Sequence, residues 1–207
     1  MSGILTLDPG SRITGWAWSE PGAPKPEWGR FVMRQGEETA KHNSGEIGVR
    51  FEIFLEARID VFKPDYIVRE QPYIPQPRKP GRDREEKNIP VNYETLFPLL
   101  GLAWQIDTIA SRRGIECQEA STYAAVKHFT GKAKYPGATP AARRAAKKRA
   151  TVAMCKLHGW PCSEDEADAL ALLCYAESVL FPYQRQLKPT GPLFSQSHDR
   201  QGSNVSL

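Results

Sequence analysis

The N-terminal part of the chain reads Gly3-Ile4-Leu5-Thr6-Leu7-Asp8-Pro9-Gly10-Ser11-Arg12-Ile13, and this stretch decides the fold. An apolar run ends at Asp8, Pro9 and Gly10 supply turn chemistry, and a second strand-like run continues to Trp18. The pattern predicts two antiparallel strands joined by a tight turn. It also places the Asp8 carboxylate at the end of a strand, where acids from other elements can join it.

Alternation and helical periodicity extend this start into a β-β-β-α-β-α-β-α-α-α order. A short apolar strand that follows a helix is typical of a parallel crossover unit. We therefore predict a single α/β domain with a mixed five-stranded sheet, three antiparallel strands followed by parallel strands, flanked by helices. The later elements are predicted as strands at 28–33, 66–70 and 115–119 and helices at 44–62, 92–113, 121–129, 140–157 and from 163 to near Pro182.

Three segments have compositions that do not favour packed structure. Residues 71–90 contain five prolines and a charged run, and 131–139 form a second flexible link. Residues 184–207 are polar and rich in Ser, Gln and Pro, and we predict a disordered tail there. The expected division is a folded domain at 1–183, which is long enough to bury a core of ordinary size, followed by the tail at 184–207.

Four acids fall at the ends or starts of the predicted elements. Asp8 and Glu70 each end a strand, and Asp165 and Asp168 lie about a turn apart at the start of the last helix. Mg2+ prefers hard oxygen ligands of this kind. Two such ions about 4 Å apart can activate water and stabilise the leaving oxygen in phosphodiester cleavage. The four acids are the candidate catalytic and metal-binding residues, with two Mg2+ ions as the expected cofactor and Mn2+ as a substitute.

Each acid taken alone also has an ordinary structural explanation. An Asp before Pro-Gly is common turn chemistry, and acids in the first turn of a helix favour its dipole. Glu164 and Glu166 are assigned to that structural role, as a solvated first-turn acid and as the capping partner of Ser163. Only the combination of acids on three elements argues for a metal site.

The basic residues are clustered, although the chain carries a formal net charge of only +4. Seven Lys or Arg and no Asp or Glu lie between 132 and 149, and two pairs spaced four apart there predict one cationic stripe on a helix. A cationic surface beside a carboxylate pocket suits a nucleic acid partner. The candidate phosphate contacts belong to that segment and to the loop after Glu70: Arg143, Arg144, Lys147, Lys148, Arg78 and Lys79.

The cysteines and the hydropathy of the chain indicate its cellular location and argue against zinc and membrane partners. The four cysteines include no CxxC pair and no secretory apolar segment precedes the first strand, so we expect the cytoplasm of a bacterial or phage-infected cell. Cys155, His158 and Cys162 offer three zinc ligands at unusual spacing without an obvious fourth, and zinc is not expected. No apolar stretch approaches the length of a membrane span, and no membrane partner is expected.

Three stretches resemble the RuvC family of Holliday-junction resolvases, which belong to the RNase H-like superfamily. They are 5–15 (LTLDPGSRITG), 62–71 (FKPDYIVREQ) and 165–171 (DEADALA), and their order and spacing agree over most of residues 3–180. The resemblance implies an RNase H-like fold and a Mg2+-dependent endonuclease that makes paired nicks in four-way DNA junctions. Position by position, it makes the four acids named above the catalytic metal ligands.

The resemblance also implies DNA contacts and an assembly. Lys127 and Lys148 fall where the family has basic residues near the cut. Lys147 takes the place of Lys148 if the correspondence with the family is shifted by one residue. Tyr73 matches a family aromatic that stacks on bases at the branch point, although an aromatic that anchors its own loop explains it equally well. Two symmetry-related cuts imply a homodimer, to which the helix containing Trp104 is expected to contribute.

Substrate range stays open at this point. The 71–90 loop is longer, more proline-rich and more basic than expected for cellular family members, so a phage-type enzyme for several branched DNAs is within the expectation. The same acids would also serve a nuclease for flaps or RNA-DNA hybrids. A third hypothesis is a junction binder that does not cut, or an actin-like nucleotide binder. The four intact acids and the lack of a further Gly-rich phosphate loop argue against both forms of it.

Overall fold

The structure is a computed structural model in which residues 3–33, 44–72 and 93–182 are described. The predicted tail and most of the 71–90 loop, including Tyr73, Arg78 and Lys79, lie outside these residues. The strands are β1 (Ile4–Asp8), β2 (Ile13–Ser19), β3 (Glu27–Val32), β4 (Tyr66–Glu70) and β5 (Glu116–Ala120). The helices are α1 (Ser44–Phe62), α2 (Tyr93–Arg113), α3 (Thr122–Thr130), α4 (Pro140–Leu157) and α5 (Glu164–Leu180).

The five strands form one mixed sheet in the order β3-β2-β1-β4-β5. β1 pairs antiparallel with β2 and parallel with β4, while β3 is antiparallel to β2 and β5 is parallel to β4. The predicted fold class and element order are confirmed, with strand ends displaced by one residue. Because β1, β4 and β5 run in the same direction, their carboxyl ends meet at one edge of the sheet.

Alternating side chains divide the sheet into two apolar layers. Leu5, Leu7 and Ile67 point into a core closed by α1 and α2. Ile4, Val68 and residues of α5 belong to a second core that also includes α3 and α4. Since successive strand residues point to opposite faces, Asp8 and Glu70 share the face of the second core, the face covered by α3, α4 and α5.

The helix ends follow the predicted signals. Thr139 precedes Pro140 and its hydroxyl accepts a 3.1 Å hydrogen bond from the Ala142 N–H. Gly131 ends α3 in a left-handed conformation, with a φ of 69°. At the start of α5 the Glu166 carboxylate accepts hydrogen bonds of 2.6 Å from the Ser163 N–H and 2.7 Å from its hydroxyl. The assignment of Glu166 as a capping partner is therefore confirmed.

Pro98 lies inside α2, which continues through it. Proline is tolerated best near the first turn of a helix, and Pro98 is close to the N-terminal end of α2.

No helix of the described ranges is both long and apolar enough to cross a membrane.

An ion pair fastens α2 to the sheet on the face opposite the acids. The buried Arg69 guanidinium donates two 2.8 Å hydrogen bonds to the Asp107 carboxylate. Cys117 donates a 3.3 Å hydrogen bond to the same carboxylate, and burial together with Asp107 raises the pKa of its thiol to about 12. Arg69 precedes Glu70 on β4, so this pairing holds the strand that delivers the acid.

Candidate active site

A close contact between α5 and β2 brings two of the acids toward Asp8. Gly15 is the β2 partner of Asp8 in the strand register. A Cβ on Gly15 would lie 2.1 Å from the Asp165 carbonyl oxygen and 3.4 Å from the Ala169 Cβ. The first turns of α5 therefore lie directly on the sheet at the position beside Asp8, which only a glycine allows.

Thr6 secures the same helix from within the sheet. Its side chain is fully buried, and its Oγ1 donates to the Ala169 carbonyl oxygen at 2.9 Å and contacts the Ala17 carbonyl oxygen at 3.2 Å. A buried hydroxyl is costly without a partner, so the hydrogen bond favours one position of α5. Asp165 and Asp168 both lie in the turn of α5 that leads to this anchored residue.

Glu70 is positioned from β4 and from the start of α3. The Thr122 hydroxyl donates a short hydrogen bond to Glu70 Oε1. Asp8 and Glu70 also share a side-chain hydrogen bond. The ends of β1 and β4 thus bring together the two acids that the sequence assigned to one edge of the sheet, and Thr122 is a neighbour that the sequence did not indicate.

Burial and mutual repulsion disfavour the charged forms of these acids. The pKa of Asp8 is raised well above 3.8, first by burial, then by the hydrogen bond with Glu70 and by the charges of Glu70 and Asp165. Burial and the charge of Asp8 raise the pKa of Asp168 to about 7. Such coupling requires carboxylates that are close neighbours, and it makes the cluster a strong attractor for cations.

The donor set fits a divalent metal. Asp168 Oδ1 is buried and has no hydrogen-bond partner among the described residues, and hard carboxylate oxygens are the ligands that Mg2+ prefers. No three His, Cys, Asp or Glu side chains within the described ranges already stand at metal-ligating distances from one another.

Two lysines of α4 border the acids, but they point in different directions. Lys148 Nζ forms a 3.1 Å ion pair with Glu164, and its charge lowers the pKa values of Asp8 and Asp168 against the dominant effect of burial. The charge of Lys147 acts on Asp168 in the same sense. Lys148 turns toward α5, where Glu164 is its ion-pair partner as well as a first-turn acid. The single cationic stripe on α4 stays a prediction.

The remaining basic candidates lie on the same side of the sheet as the acids. Lys127 is exposed in the last turn of α3, and Arg143 and Arg144 are exposed in the first turns of α4. Tyr73, Arg78 and Lys79, predicted as DNA contacts in the 71–90 loop, lie outside the described residues. The basic candidates that the structure brings next to the acids are Lys147 and Lys148.

The three zinc candidates do not form a metal site within the described residues. Cys155 and Cys162 are close enough for each thiol to affect the pKa of the other, while the His158 ring stacks on Trp160 at a centroid distance of 4.7 Å. The pKa of Cys155 is raised, chiefly by burial. These side chains belong to the packing between α3, α4 and α5.

The mixed five-stranded sheet in the order β3-β2-β1-β4-β5, flanked by helices, is an RNase H-like fold. Comparison with solved structures finds two RuvC structures from Thermus thermophilus. One is in complex with Holliday junction substrate (TM-score 0.58, 14% identity, 87% of this chain and 95% of that chain covered). The other has a TM-score of 0.55 at 13% identity and covers 86% and 96%.

The yeast mitochondrial Holliday junction resolvase Ydc2 also matches, with a TM-score of 0.51, 13% identity, and 90% of this chain and 85% of that chain covered. No protein-family model and no curated relative matches the chain. The resemblance to RuvC-type resolvases is thereby confirmed as a likeness of fold that extends over nearly the whole of those proteins.

Proposed function

We propose that this protein is a metal-dependent endodeoxyribonuclease that resolves four-way DNA junctions by paired strand nicking. The observation that carries the proposal is the gathering of Asp8, Glu70, Asp165 and Asp168 at one edge of the sheet, close enough for their charges to interact. The resolvases with the same fold support junction DNA as the substrate class. Metal dependence is inferred from the acid cluster itself.

In this proposal Asp8, Glu70, Asp165 and Asp168 hold two Mg2+ ions. When bound, the ions supply an activated water and charge stabilisation at the leaving oxygen. Thr122 keeps Glu70 directed toward the cluster through its hydroxyl. The Gly15 contact and the Thr6 hydrogen bond fix α5, so Asp165 and Asp168 face Asp8. Without metal the same charges would repel a phosphate backbone.

The lysines beside the acids are proposed to hold the phosphates near the cut. Lys148 is paired with Glu164 in the free protein, and it exchanges that exposed partner for a DNA phosphate at little cost because surface ion pairs are weak. Lys127 at the end of α3 and Arg143 and Arg144 on α4 extend the cationic surface along the same face.

We propose that the active unit is a homodimer formed through α1 and α2. Gln105 on α2 donates a 2.8 Å hydrogen bond to the Gly48 carbonyl oxygen, so the two helices lie side by side. Their outer faces expose four large apolar side chains: Val49, Ile53, Phe97 and Trp104. Exposed apolar residues on neighbouring elements are typical of interfaces, and a twofold interface would present two sites to symmetry-related strands.

The deciding experiment compares cleavage by the full chain of four matched substrates in Mg2+: a labelled four-way junction, a linear duplex, a flap and an RNA-DNA hybrid. We expect symmetric paired nicks in the junction. Asp8→Asn and Asp168→Asn should abolish cutting while retaining junction binding. Glu27→Gln, an acid exposed at the start of β3, is the matched control and should cut like the parent.

The other outcomes each point to a different function. Faster cutting of hybrids or flaps than of junctions would assign the site to a nuclease with another nucleic acid substrate. Junction binding without any Mg2+-dependent cleavage would make the protein a non-cleaving binder. Unimpaired cutting by Asp8→Asn would refute the role of the acid cluster.

A further inference from the structure

A cationic cleft lies between the 131–139 loop and the first turns of α4. It has a volume of about 440 Å³ and is lined by Ala133, Lys134, Tyr135, Arg143, Arg144 and Lys147. Four of these six side chains carry a positive charge. The acids at the edge of the sheet do not line it, so it is a separate concavity on the same face of the domain.

The loop that forms one wall is held in place, although the sequence predicts a flexible link there. It has no regular secondary structure, but the Tyr135 hydroxyl is 2.6 Å from Thr130 Oγ1, and this threonine is buried at the end of α3. The Lys132 N–H donates to the same oxygen at 3.3 Å. The wall is therefore tied to the core through one buried threonine.

The other end of the loop is fastened to α4. The Arg143 guanidinium donates a 3.1 Å hydrogen bond to the Gly137 carbonyl oxygen. Gly137 has a φ of 148°, and a Cβ there would lie 2.7 Å from the Arg143 nitrogen and 2.9 Å from the Ala142 carbonyl carbon. Glycine is required for this approach, which holds the two walls of the cleft together.

The charge of the cleft is uncompensated by its own segment. Residues 132–149 contain no Asp or Glu. In the described ranges, no carboxylate forms an ion pair with Lys134, Arg144 or Lys147. Exposed cations that converge without acids produce a strong local field for an anion.

Lys147 links the cleft to the acid cluster. It lines the cleft, and its charge also acts on the Asp168 carboxyl. Its neighbour Lys148 turns instead toward Glu164, because consecutive helical residues point about 100° apart. A polyanion lying across Lys147 would therefore occupy the cleft on one side and approach the acids on the other.

We propose that this cleft is a binding site for a backbone phosphodiester segment of DNA adjacent to the position of the cut. The inference rests on the proposed nuclease function and adds a second anchoring site to it. Lys134 and Arg144 contact the phosphates from the two walls, and Tyr135 shapes the cleft without contacting bases. The site positions the strand and carries no sequence preference, because phosphates contain no base information.

The test measures binding as a function of salt in the Asp8→Asn background, where DNA stays intact. Each lost phosphate contact shallows the slope of log affinity against log salt by about one. Lys134→Ala combined with Arg144→Ala should lower that slope by about two for linear duplex and junction alike. Lys156→Ala, an exposed lysine of the same helix outside the cleft, is the matched control and should change nothing.

A second variant separates the cleft from diffuse surface charge. Gly137→Ala removes no charge but forces the loop away from α4, so DNA affinity should fall. With Asp8 restored, the Lys134→Ala and Arg144→Ala enzyme should need more DNA than the parent to reach half-maximal cutting.

Three results would overturn the proposal. One is an unchanged salt slope in the double variant, and another is full affinity in a folded Gly137→Ala protein. The third concerns pyrophosphate, used as a small anionic probe. If the double variant loses pyrophosphate binding but keeps the DNA affinity of the parent, the cleft is a site for a small phosphate ligand. The nuclease proposal can fail separately, because the salt slopes are measured without cleavage.

Discussion

The backbone of Gly15 lies against the Asp165 carbonyl so closely that a Cβ on Gly15 would be only 2.1 Å from that oxygen. Real contacts of this kind are never so short, so any side chain at position 15 must move α5. Because Gly15 is also the strand partner of Asp8, one glycine sets the distance between the acid of β1 and the acids of α5.

Gly15→Ala should therefore impair the active site more than the fold. The added methyl group pushes the start of α5 outward, and overpacking of this kind costs about 1–3 kcal/mol of unfolding free energy. We expect a lowered thermal midpoint and a larger loss of Mg2+-dependent cleavage. Gly48→Ala in α1, where a Cβ meets only the Gln105 side chain at 3.6 Å, is the control and should retain activity. Full activity of a folded Gly15→Ala protein would contradict the argument.

Thr122 is expected to act on the metal site through Glu70. Thr122→Ala removes the hydroxyl that donates to Glu70 Oε1, so more Mg2+ should be needed for half-maximal cleavage. Thr122→Ser keeps the donor and should behave like the parent. Unfolding free energy should change by about 1 kcal/mol or less. A merely structural role would instead impair both variants or leave the Mg2+ requirement unchanged.

The sequence was sufficient to predict which acids come together. Asp8 and Glu70 end parallel strands, and such ends meet at one edge whatever the loops between them do. The helix start at Ser163 is equally local, because Glu166 is close enough to cap it. Element order and the acid set therefore depend on signals within a few residues of each position.

The contacts that refine the site involve residues far apart in the chain, and no local pattern reveals them. In the sequence Gly15 is an ordinary strand glycine, and its role appears only in the contact with α5. Thr122 is simply the first residue of a helix in the sequence, and its role appears only in the hydrogen bond to Glu70 of β4. The different directions of Lys147 and Lys148 depend on how α4 is rotated about its own axis relative to α5. A spacing of four residues in the sequence does not predict that rotation.

Trp104 is expected to lie in the dimer interface. Its side chain is 80% exposed on α2, and placing a charge within a buried apolar interface is strongly unfavourable. Trp104→Glu should convert the dimer to a folded monomer, with the mass measured by light scattering after gel filtration, and paired nicking should become uncoupled. Leu157→Glu, an exposed apolar residue on α4 that is 70% accessible, should leave the mass unchanged. Equal masses for parent and Trp104→Glu would place the interface elsewhere.

The pH dependence of the unfolding free energy should reveal the raised pKa of Asp168. Its pKa of about 7 in the folded protein lies above the ordinary 3.8, so the folded state keeps a proton that the unfolded chain has already lost. Stability from this group is therefore lost as pH rises from about 4 to 7 and is constant above that range. In metal-free buffer, Asp168→Asn should be more stable than the parent at pH 8 by about 1–3 kcal/mol, and nearly equal to it at pH 4.

Mg2+ should reverse this difference, because bound cations relieve the repulsion only where the carboxylate is present. At pH 8 the parent should gain thermal stability on addition of Mg2+, whereas Asp168→Asn should gain little. Asp107, whose pKa is lowered chiefly by its hydrogen bond to Arg69, titrates alike in both proteins, so its contribution cancels in the comparison. If the unfolding free energies of the parent and Asp168→Asn differ by the same amount at pH 4 and pH 8, the pKa of Asp168 is not the one that folding raises.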